Sequence, residues 1–282
     1  MSKFQKTINS KITFSGIGLH SGEKVQLELI PAKENFGICF FLKNSNKKIE
    51  AKWSNVKIAN LCTQIVKDKI IFSTIEHLMS ALSAFGITNL KIISSAYEIP
   101  ILDGSSKEYV DKINDAGIKI QKSSSKVLKI LKKIEVKKDA KYICIEPNNS
   151  ELLEIDYEID YDDQLIKKQR FKYKHNYQNY LTIFNCRTFC LQDELEKIFA
   201  MGLAKGGSLD NAIVVSGTKI LNQGGLHYKD EFVRHKILDC VGDIYLSGYD
   251  IHGKIKSVQG GHEMNALLLK EIFNKNSNYK IL

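Results

Sequence analysis

The segment RHKILDCVGD, residues 234–243, contains three ionisable residues at four-residue spacing: His235, Asp239 and Asp243. The residues between them are mostly apolar and predict a packed helix. Residues four apart lie on the same face of a helix, so these side chains share one face. A histidine and a carboxylate at this spacing can bind one metal ion. The same pair can also be an ordinary solvated ion pair, and the spacing alone leaves both interpretations open.

A second segment, TIEHLMSAL, sets Glu76 beside His77 near the start of a helix predicted over residues 74–85. Adjacent helical residues point about 100° apart. His77 could therefore bind a metal while Glu76 approaches a water molecule from the side. With His235 and Asp239, it would complete a three-ligand set that leaves a tetrahedral zinc one open position. The alternative is a surface glutamate beside a partly buried histidine.

Two further segments contain polar groups that could act in a cleft. In GGHEMN, His262 lies at the start of a helix, whose positive end disfavours an imidazolium. A carboxylate alongside would restore the charged form, and Asp243 is available for this. The alternative is an N-terminal helix residue without a partner. In CRTF, a strand end presents Thr188 to a cleft or packs it inside the domain.

Length and composition indicate an ordinary globular chain. Its 282 residues, 43% hydrophobic and 26% charged, suffice for two moderate domains or one large one. The N-terminus has no signal-peptide pattern and no run of 18 apolar residues occurs, so we expect a soluble cytoplasmic protein. The six cysteines form no CxxC pair, as expected for reduced thiols.

The net charge of +9 would suit an anionic partner. Only three of the 41 basic residues are arginines, however, and the chain is rich in isoleucine and asparagine. This pattern is typical of background coding bias toward lysine. No nucleic-acid motif is present, and we expect no nucleic-acid partner.

The order of elements predicts an α+β fold, because strands are grouped before helices rather than alternating with them. Strand patterns at 24–30 and 37–42 precede the helix of residues 74–85, which Ser73 or Thr74 would cap. A capping box from Ser105 to Glu108 would open a second helix. The polar stretch QKSSSK, residues 121–126, is the predicted linker. We expect two α+β domains of related layout, residues 1–122 and 127–282, with a cleft between them.

Eight segments in order resemble one family, the zinc-dependent UDP-3-O-acyl-N-acetylglucosamine deacetylases of lipid A biosynthesis in Gram-negative bacteria. These segments are SGIGLHSG, NLCT, TIEHLMSAL, EIPILDGSS, CRTF, GLAKGGSLDNAIV, RHKILDCVGD and GGHEMN. The resemblance implies two two-layer α/β sandwich domains in tandem, each with an insert, and an active site in the cleft between them. An insert around residues 193–212 would form the passage for the acyl chain.

The resemblance also implies a role for individual residues. It makes His77, His235 and Asp239 the zinc ligands and Glu76 the general base. His262 would be the protonated acid oriented by Asp243, Lys236 would lie near the phosphates or the developing charge, and Thr188 near the oxyanion. The substrate pocket would include Leu61, Cys62, Thr63, Phe189, Ser208, Tyr161, which would stack on uracil, and His20.

This chain departs from the family pattern near the nucleotide subsite, with Asp163 and Gln164 after the aromatic residue and Gln259 before the glycine turn. The expected partners are the UDP-sugar substrate and, peripherally, the inner membrane surface, with no obligate protein partner. Two other classes stay open. Another zinc hydrolase would keep the ligands but lack the apolar passage, and a binding module would not need Glu76.

Overall fold

The computed structural model describes residues 4–45 and 47–282 and confirms the predicted α+β class. In the first half, a five-stranded sheet has the order β2-β3-β9-β4-β5, and β6, β7 and β8 form a smaller sheet. The strands are β1 (Phe4–Ile8), β2 (Ile12–Ile17), β3 (Lys24–Pro31), β4 (Ile38–Leu42), β5 (Lys48–Glu50), β6 (Val56–Lys57), β7 (Gln64–Lys67), β8 (Ile70–Ser73), β9 (Leu90–Ser94) and β10 (Ile118–Ser124), and the helices are α1 (Glu76–Phe85) and α2 (Lys107–Ala116).

The second half contains a seven-stranded sheet, ordered β12-β13-β19-β11-β20, in which β14 also pairs with β19 and β15 with β14. The strands are β11 (Val127–Ile130), β12 (Ile134–Lys138), β13 (Lys141–Glu146), β14 (Leu153–Asp160), β15 (Lys168–Lys174), β16 (Phe189–Leu191), β17 (Ile213–Ser216), β18 (Lys219–Ile220), β19 (Asp250–Val258) and β20 (Tyr279–Ile281). The helices are α3 (Tyr177–Tyr180), α4 (Leu195–Ala200), α5 (Glu231–Tyr245) and α6 (His262–Asn274).

The two halves meet where α1 packs on α5. All ten residues of α1 are buried, and one cluster of buried apolar side chains continues from the first half into the second. The helices approach so closely at Gly242 that a Cβ there would lie 2.0 Å from the carbonyl oxygen of Glu76. The sequence therefore needs a glycine at this crossing, because any side chain would separate the two helices.

The first helix begins later than the sequence predicts. Neither Ser73 nor Thr74 caps α1; Ile75 is the N-cap and forms no side-chain cap bond. Thr74 has a positive φ of 59°, and its hydroxyl donates to the carboxylate of Glu98 at 2.8 Å. The predicted cap fails because this threonine is engaged by a residue distant in the sequence.

The predicted capping box at α2 is also wrong. The N-cap is Ser106, again without a side-chain cap bond. Its hydroxyl instead donates to the carbonyl of His77 at 2.8 Å, while Ser105 Oγ accepts from the backbone N–H of Lys107 at 3.0 Å. Ser105 therefore accepts from Lys107 rather than from Glu108 as the motif predicts, and the actual N-cap residue, Ser106, bonds to α1 instead.

Most of the predicted linker is a strand. Residues 118–124 form β10, which pairs antiparallel with β1. The polar side chains of this strand have hydrogen-bond partners in the rest of the fold: Gln121 donates to the carbonyl of Ala32 at 2.9 Å and accepts from Asn89 at 2.8 Å. The strand extends two residues past the predicted boundary at 122, and the two-domain division stays a prediction. Among the described residues, no helix combines the length and apolar character needed to cross a membrane.

Candidate active site

The α1–α5 crossing brings His77 together with His235 and Asp239. Asp239 Oδ1 lies 3.4 Å from His77 Nε2 and 3.3 Å from His235 Nε2, and one ligand atom from each residue falls within 4.8 Å of the others. All three side chains are buried. The CRTF segment orients His235, because the Nδ1 of this ring pairs with the carbonyl oxygen of Cys186 at 3.0 Å. This contact makes Nδ1 the protonated nitrogen and leaves the Nε2 lone pair facing Asp239.

This group fits a divalent cation. Asp239 Oδ1 is buried and makes no hydrogen bond to any described residue, which is costly for an anionic oxygen unless a cation binds it. Burial lowers the pKa of His235 to about 3, so its imidazole is neutral, as a metal ligand must be. Burial alone would raise the pKa of Asp239, but the positive charges of Lys236 and His262 hold it well below its usual range.

Glu76 lies at the first position of α1 and is buried. Its Oε2 accepts a hydrogen bond from the backbone N–H of Thr63 at 3.0 Å, and its Oε1 lies 3.8 Å from His262 Nε2. Burial raises the pKa of Glu76 above its usual range, with His262 and His77 opposing the shift. A raised pKa is the property that a carboxylate base needs near neutral pH.

His262 and Asp243 form a pair across α6 and α5, in which Asp243 is buried and His262 partly buried. His262 Nδ1 donates to Asp243 Oδ2 at 2.8 Å, and its Nε2 lies 3.8 Å from Asp239 Oδ2. Burial opposes the imidazolium, but Asp243, Asp239 and Glu76 outweigh it and raise the pKa of His262 to about 10. These carboxylates therefore offset the unfavourable effect of the helix N-terminus on the imidazolium.

Two more donors saturate Asp243. The hydroxyl of Thr63 donates to Asp243 Oδ1 at 2.5 Å, and the Asn265 amide donates to Oδ2 at 2.8 Å. Asn265 was not predicted from the sequence, although it follows His262 by three residues and so shares its helix face. Thr63 therefore donates to two carboxylates, to Asp243 through its hydroxyl and to Glu76 through its backbone N–H. Together with Cys62 it lines a small cavity beside Asp243, separate from the large one described next.

A cavity of about 800 Å³ opens above this cluster. Its floor contains Glu76, His77, His235, Asp239 and His262, and residues 189–221 supply most of its apolar wall. Of the residues predicted to contact substrate, the following line it: His20, Leu61, Tyr161, Thr188, Phe189 and Ser208. The short helix α4 lies within the predicted insert of residues 193–212. Phe199 and Met201 lie about half exposed on this wall.

Aromatic and basic groups lie together on one side of this cavity. The Lys236 ammonium is 3.0 Å from Asp239 Oδ2 and 5.4 Å from the centroid of the Phe189 ring, which in turn lies 5.7 Å from the Tyr161 ring. Burial opposes the ammonium form, but Asp239 outweighs it and raises the pKa of Lys236. Lys141, at the start of β13, also lines the cavity. Lys141 was not predicted from the sequence, because nothing there distinguishes it from the many other lysines.

Comparison with known proteins agrees with this geometry. The family model described as LpxC, UDP-3-O-acyl N-acetylglycosamine deacetylase, matches residues 5–274. A UDP-3-O-acyl-N-acetylglucosamine deacetylase from a Nitratiruptor species is 43% identical over 279 residues, covering 99% of this chain and 93% of the relative. Proteins of the same name from Aliarcobacter butzleri and Campylobacter lari are 41% and 40% identical, each over 99% of this chain and 92% and 94% of the relative. The chain therefore belongs to the UDP-3-O-acyl-N-acetylglucosamine deacetylase family.

Proposed function

We propose that this protein hydrolyses the N-acetyl group of UDP-3-O-acyl-N-acetylglucosamine and releases acetate. The observation that carries the proposal is the convergence, on the floor of one large cavity, of a buried cation site with a carboxylate and a protonated histidine. Family membership supports the substrate. We also propose that the reaction takes place in the cytoplasm, as one step of lipid A biosynthesis.

His77 Nε2, His235 Nε2 and Asp239 Oδ1 would hold a zinc ion, whose ligand preferences these groups satisfy. The ion would supply Lewis-acid polarisation of the acetamide carbonyl and a water of lowered pKa. Zinc is the choice because two neutral imidazoles and one carboxylate are ligands of catalytic zinc sites.

Glu76 would act as the general base. Thr63 fixes one of its oxygens through a backbone N–H, which leaves the other, 3.8 Å from His262, free to take a proton from the attacking water. The raised pKa of this carboxylate favours transfer of that proton to it from the water.

His262 would stabilise the negative charge that develops on the carbonyl oxygen and then donate its Nε2 proton to the departing amine. Asp243 keeps the ring charged and fixes its orientation through Nδ1. Thr188, at the cavity wall, would contribute a hydroxyl near the same oxyanion. These roles divide the work between a base from the first half of the chain and an acid from the second.

The rest of the cavity would bind the parts of the substrate that do not react. Lys236 and Lys141 supply positive charge for the diphosphate, and Tyr161 an aromatic face for uracil. The apolar wall around α4 would hold the acyl chain, where each buried methylene contributes about 0.8 kcal/mol. The half-exposed Phe199 and Met201 support peripheral contact with a membrane surface, from which an acylated substrate could enter.

Acetate release from the UDP-sugar, measured together with zinc content, tests this proposal. We expect the wild type to release acetate and a chelator to abolish release until zinc is restored. Glu76→Gln should retain zinc but lose activity by about 10²- to 10⁴-fold, the contribution typical of a general base. Equal rates for Glu76→Gln and the wild type would rule out the assigned base, and a wild type that releases no acetate would rule out the function.

A further inference from the structure

Glu98 is a buried carboxylate that lies outside the cavity and has no part in the chemistry described above. It is 5% exposed and forms no ion pair with a described residue within 4.0 Å. Three donors compensate its charge. Oε1 accepts from the backbone N–H of His20 at 2.9 Å and from the Thr74 hydroxyl at 2.8 Å, and Oε2 accepts from the backbone N–H of Ser21 at 2.7 Å.

These donors belong to two segments that approach the cavity from different directions. His20 and Ser21 lie in the glycine-rich loop of residues 17–22, and Thr74 lies just before the helix that carries Glu76 and His77. The loop is shaped to receive the carboxylate: a Cβ on Gly18 would lie 2.5 Å from Glu98 Oε2 and 2.3 Å from Ser21 Oγ. Glycine at this position therefore permits the close approach.

The loop in turn holds a part of the predicted insert. Backbone N–H groups of Lys205 and Gly206 donate to the carbonyls of His20 and Leu19, at 3.3 and 3.0 Å. A Cβ on Gly206 would lie 2.3 Å from the Gly18 carbonyl oxygen, so the two segments are in direct backbone contact. Leu19, His20, Thr74, Ala204 and Gly207 all line the large cavity, and Glu98 fixes them directly or through one intervening segment.

We propose that Glu98 is a positioning residue that fixes the cavity wall formed by loop 17–22 and residues 204–207, and so sets the affinity for the acyl chain. The inference rests on the proposed function, because it concerns how that substrate binds. Glu98 touches no ligand of the cation site and neither Glu76 nor His262. Its loss should therefore weaken substrate binding more than it slows the reaction of bound substrate.

Glu98→Gln tests this role with almost no change in volume. A glutamine amide has one acceptor oxygen, so its NH₂ group must face one of the backbone N–H donors, and the loop must move away. We expect KM for a long-chain 3-O-acyl substrate to rise about tenfold or more, with kcat changed less than about threefold, as expected when uniform binding is lost. The rise should shrink for a substrate with a short acyl chain. Zinc content should equal that of the wild type.

Glu34→Gln is the matched control. Glu34 also accepts from a backbone N–H, that of Lys122 at 2.8 Å, and from a hydroxyl, that of Ser123 at 2.5 Å, but it lies between β3 and β4, where it contacts β10 and does not line the cavity. Its kinetic constants should equal those of the wild type. A KM for Glu98→Gln within twofold of the wild type would overturn the proposal, and so would a loss of zinc, because Glu98 would then support the cation site.

If Glu98→Gln does not fold, Thr74→Val tests the positioning role of Glu98 instead. Valine has nearly the same shape and removes only the hydroxyl donor, so KM should rise in the same direction by a smaller factor. An unchanged KM in Thr74→Val would then overturn the proposal. All variants are compared with a wild type that releases acetate, so a failure of the proposed function itself is seen first and separately.

Discussion

His262 keeps its proton because three carboxylates lie close to a ring that burial alone would keep neutral. The nearest, Asp243, contacts the nitrogen that points away from the cavity, while Glu76 and Asp239 face the other nitrogen at 3.8 Å. A cation bound at Asp239 would offset part of that carboxylate's effect, which makes Asp243 the dominant partner in the loaded enzyme. The pH dependence of the reaction should therefore report on this one contact.

We predict that Asp243→Asn shifts the basic limb of the kcat profile to lower pH. An acid must be protonated to act, and a raised pKa keeps His262 protonated until the pH approaches that pKa. Removing the negative charge lowers the pKa, so the proton is lost earlier as pH rises. The measurement is kcat for acetate release against pH, with Asp111→Asn on the exposed face of α2 as the control. A limb at the same pH in Asp243→Asn and the wild type would show that His262 is not the essential acid.

The sequence suffices to predict which residues share a helix face but not which helices meet. The spacing of His235, Asp239 and Asp243 predicts their common face on α5. His77 joins them only because α1 crosses α5, and residue spacing within one helix cannot predict that crossing. The family resemblance alone predicted that His77 belongs to the site. Thr63 was expected at the substrate pocket, but its contacts to both Glu76 and Asp243 arise only from the tertiary fold.

At the scale of elements, the crossing of α1 and α5 sets the distance between the ligands. Gly242, three residues after Asp239, lies against the backbone of Glu76, the residue before His77. The helices cannot separate here without moving an imidazole from one half of the chain away from the carboxylate of the other. The tolerance for change at this crossing is therefore small.

We predict that Gly242→Ala loses both stability and metal affinity. The added methyl meets a backbone atom rather than a flexible side chain, and overpacking of this kind costs about 1–3 kcal/mol. Thermal unfolding and bound zinc per chain are the two measurements. Gly217→Ala is the control: its φ of 55° also strains a side chain, but an added Cβ there has no neighbour within 4 Å. It should lower the melting temperature without releasing zinc, and retained zinc in Gly242→Ala would contradict the argument.

An ion pair between Arg187 and Glu231 fixes the CRTF segment to α5. Glu231, at the first position of α5 and fully buried, accepts from the backbone N–H and the Nε of Arg187, both at 3.0 Å. Arg187 lies between Cys186, whose carbonyl oxygen orients His235, and Thr188 on the cavity wall. This pair therefore holds in place two groups of the candidate site.

Arg187→Lys should destabilise the protein by about 1.5–3 kcal/mol, the value of a hydrogen bond to a charged group, and lower kcat as Cys186 and Thr188 shift. Lysine keeps the charge but not the planar donor geometry. Arg170 forms a similar two-pronged pair with Asp156, at 2.7 and 2.6 Å, away from the cavity. The free energy of unfolding, from chemical denaturation, and kcat are measured for both variants. We expect Arg170→Lys to leave kcat unchanged. Equal kcat values for the two variants would mean that the Arg187 pair is only structural.

The fold class was predictable because it depends on the order of strand and helix patterns, whereas the corrections all involve contacts between distant residues. Thr74 bonds to Glu98, Ser106 to the His77 carbonyl, and Gln121 to Asn89 and Ala32. Thr74, a predicted cap, and Gln121, in the predicted linker, thus have tertiary partners instead, and Ser106, which the motif did not single out, is the N-cap residue of α2 with its hydroxyl bonded to α1. Local patterns cannot reveal such partners, since these depend on how the elements pack.

At the scale of the whole molecule, the candidate cation site joins the two halves of the chain. His77 comes from the first half and His235 and Asp239 from the second, and the buried apolar cluster also continues across the boundary. Tyr180 and Tyr245 add buried hydrogen bonds to Ser80 and the Ile87 carbonyl, at 3.0 and 2.8 Å. The apolar interface does not need a metal to form, so we expect the metal-free protein to fold.

Zinc should nevertheless stabilise the folded protein as a whole. A ligand that binds only the native state adds about 2.7 kcal/mol at a free concentration one hundred times its Kd. For a chain of this size that corresponds to an increase in melting temperature of roughly 5 °C. Scanning calorimetry of the chelated and zinc-loaded protein measures the shift, which should appear in one transition because the site spans both halves. Asp239→Ala should remain folded and show no response to zinc. A similar zinc response in Asp239→Ala and the wild type, or a shift confined to one of two separate transitions, would show that the bound ion does not bridge His77 to helix α5.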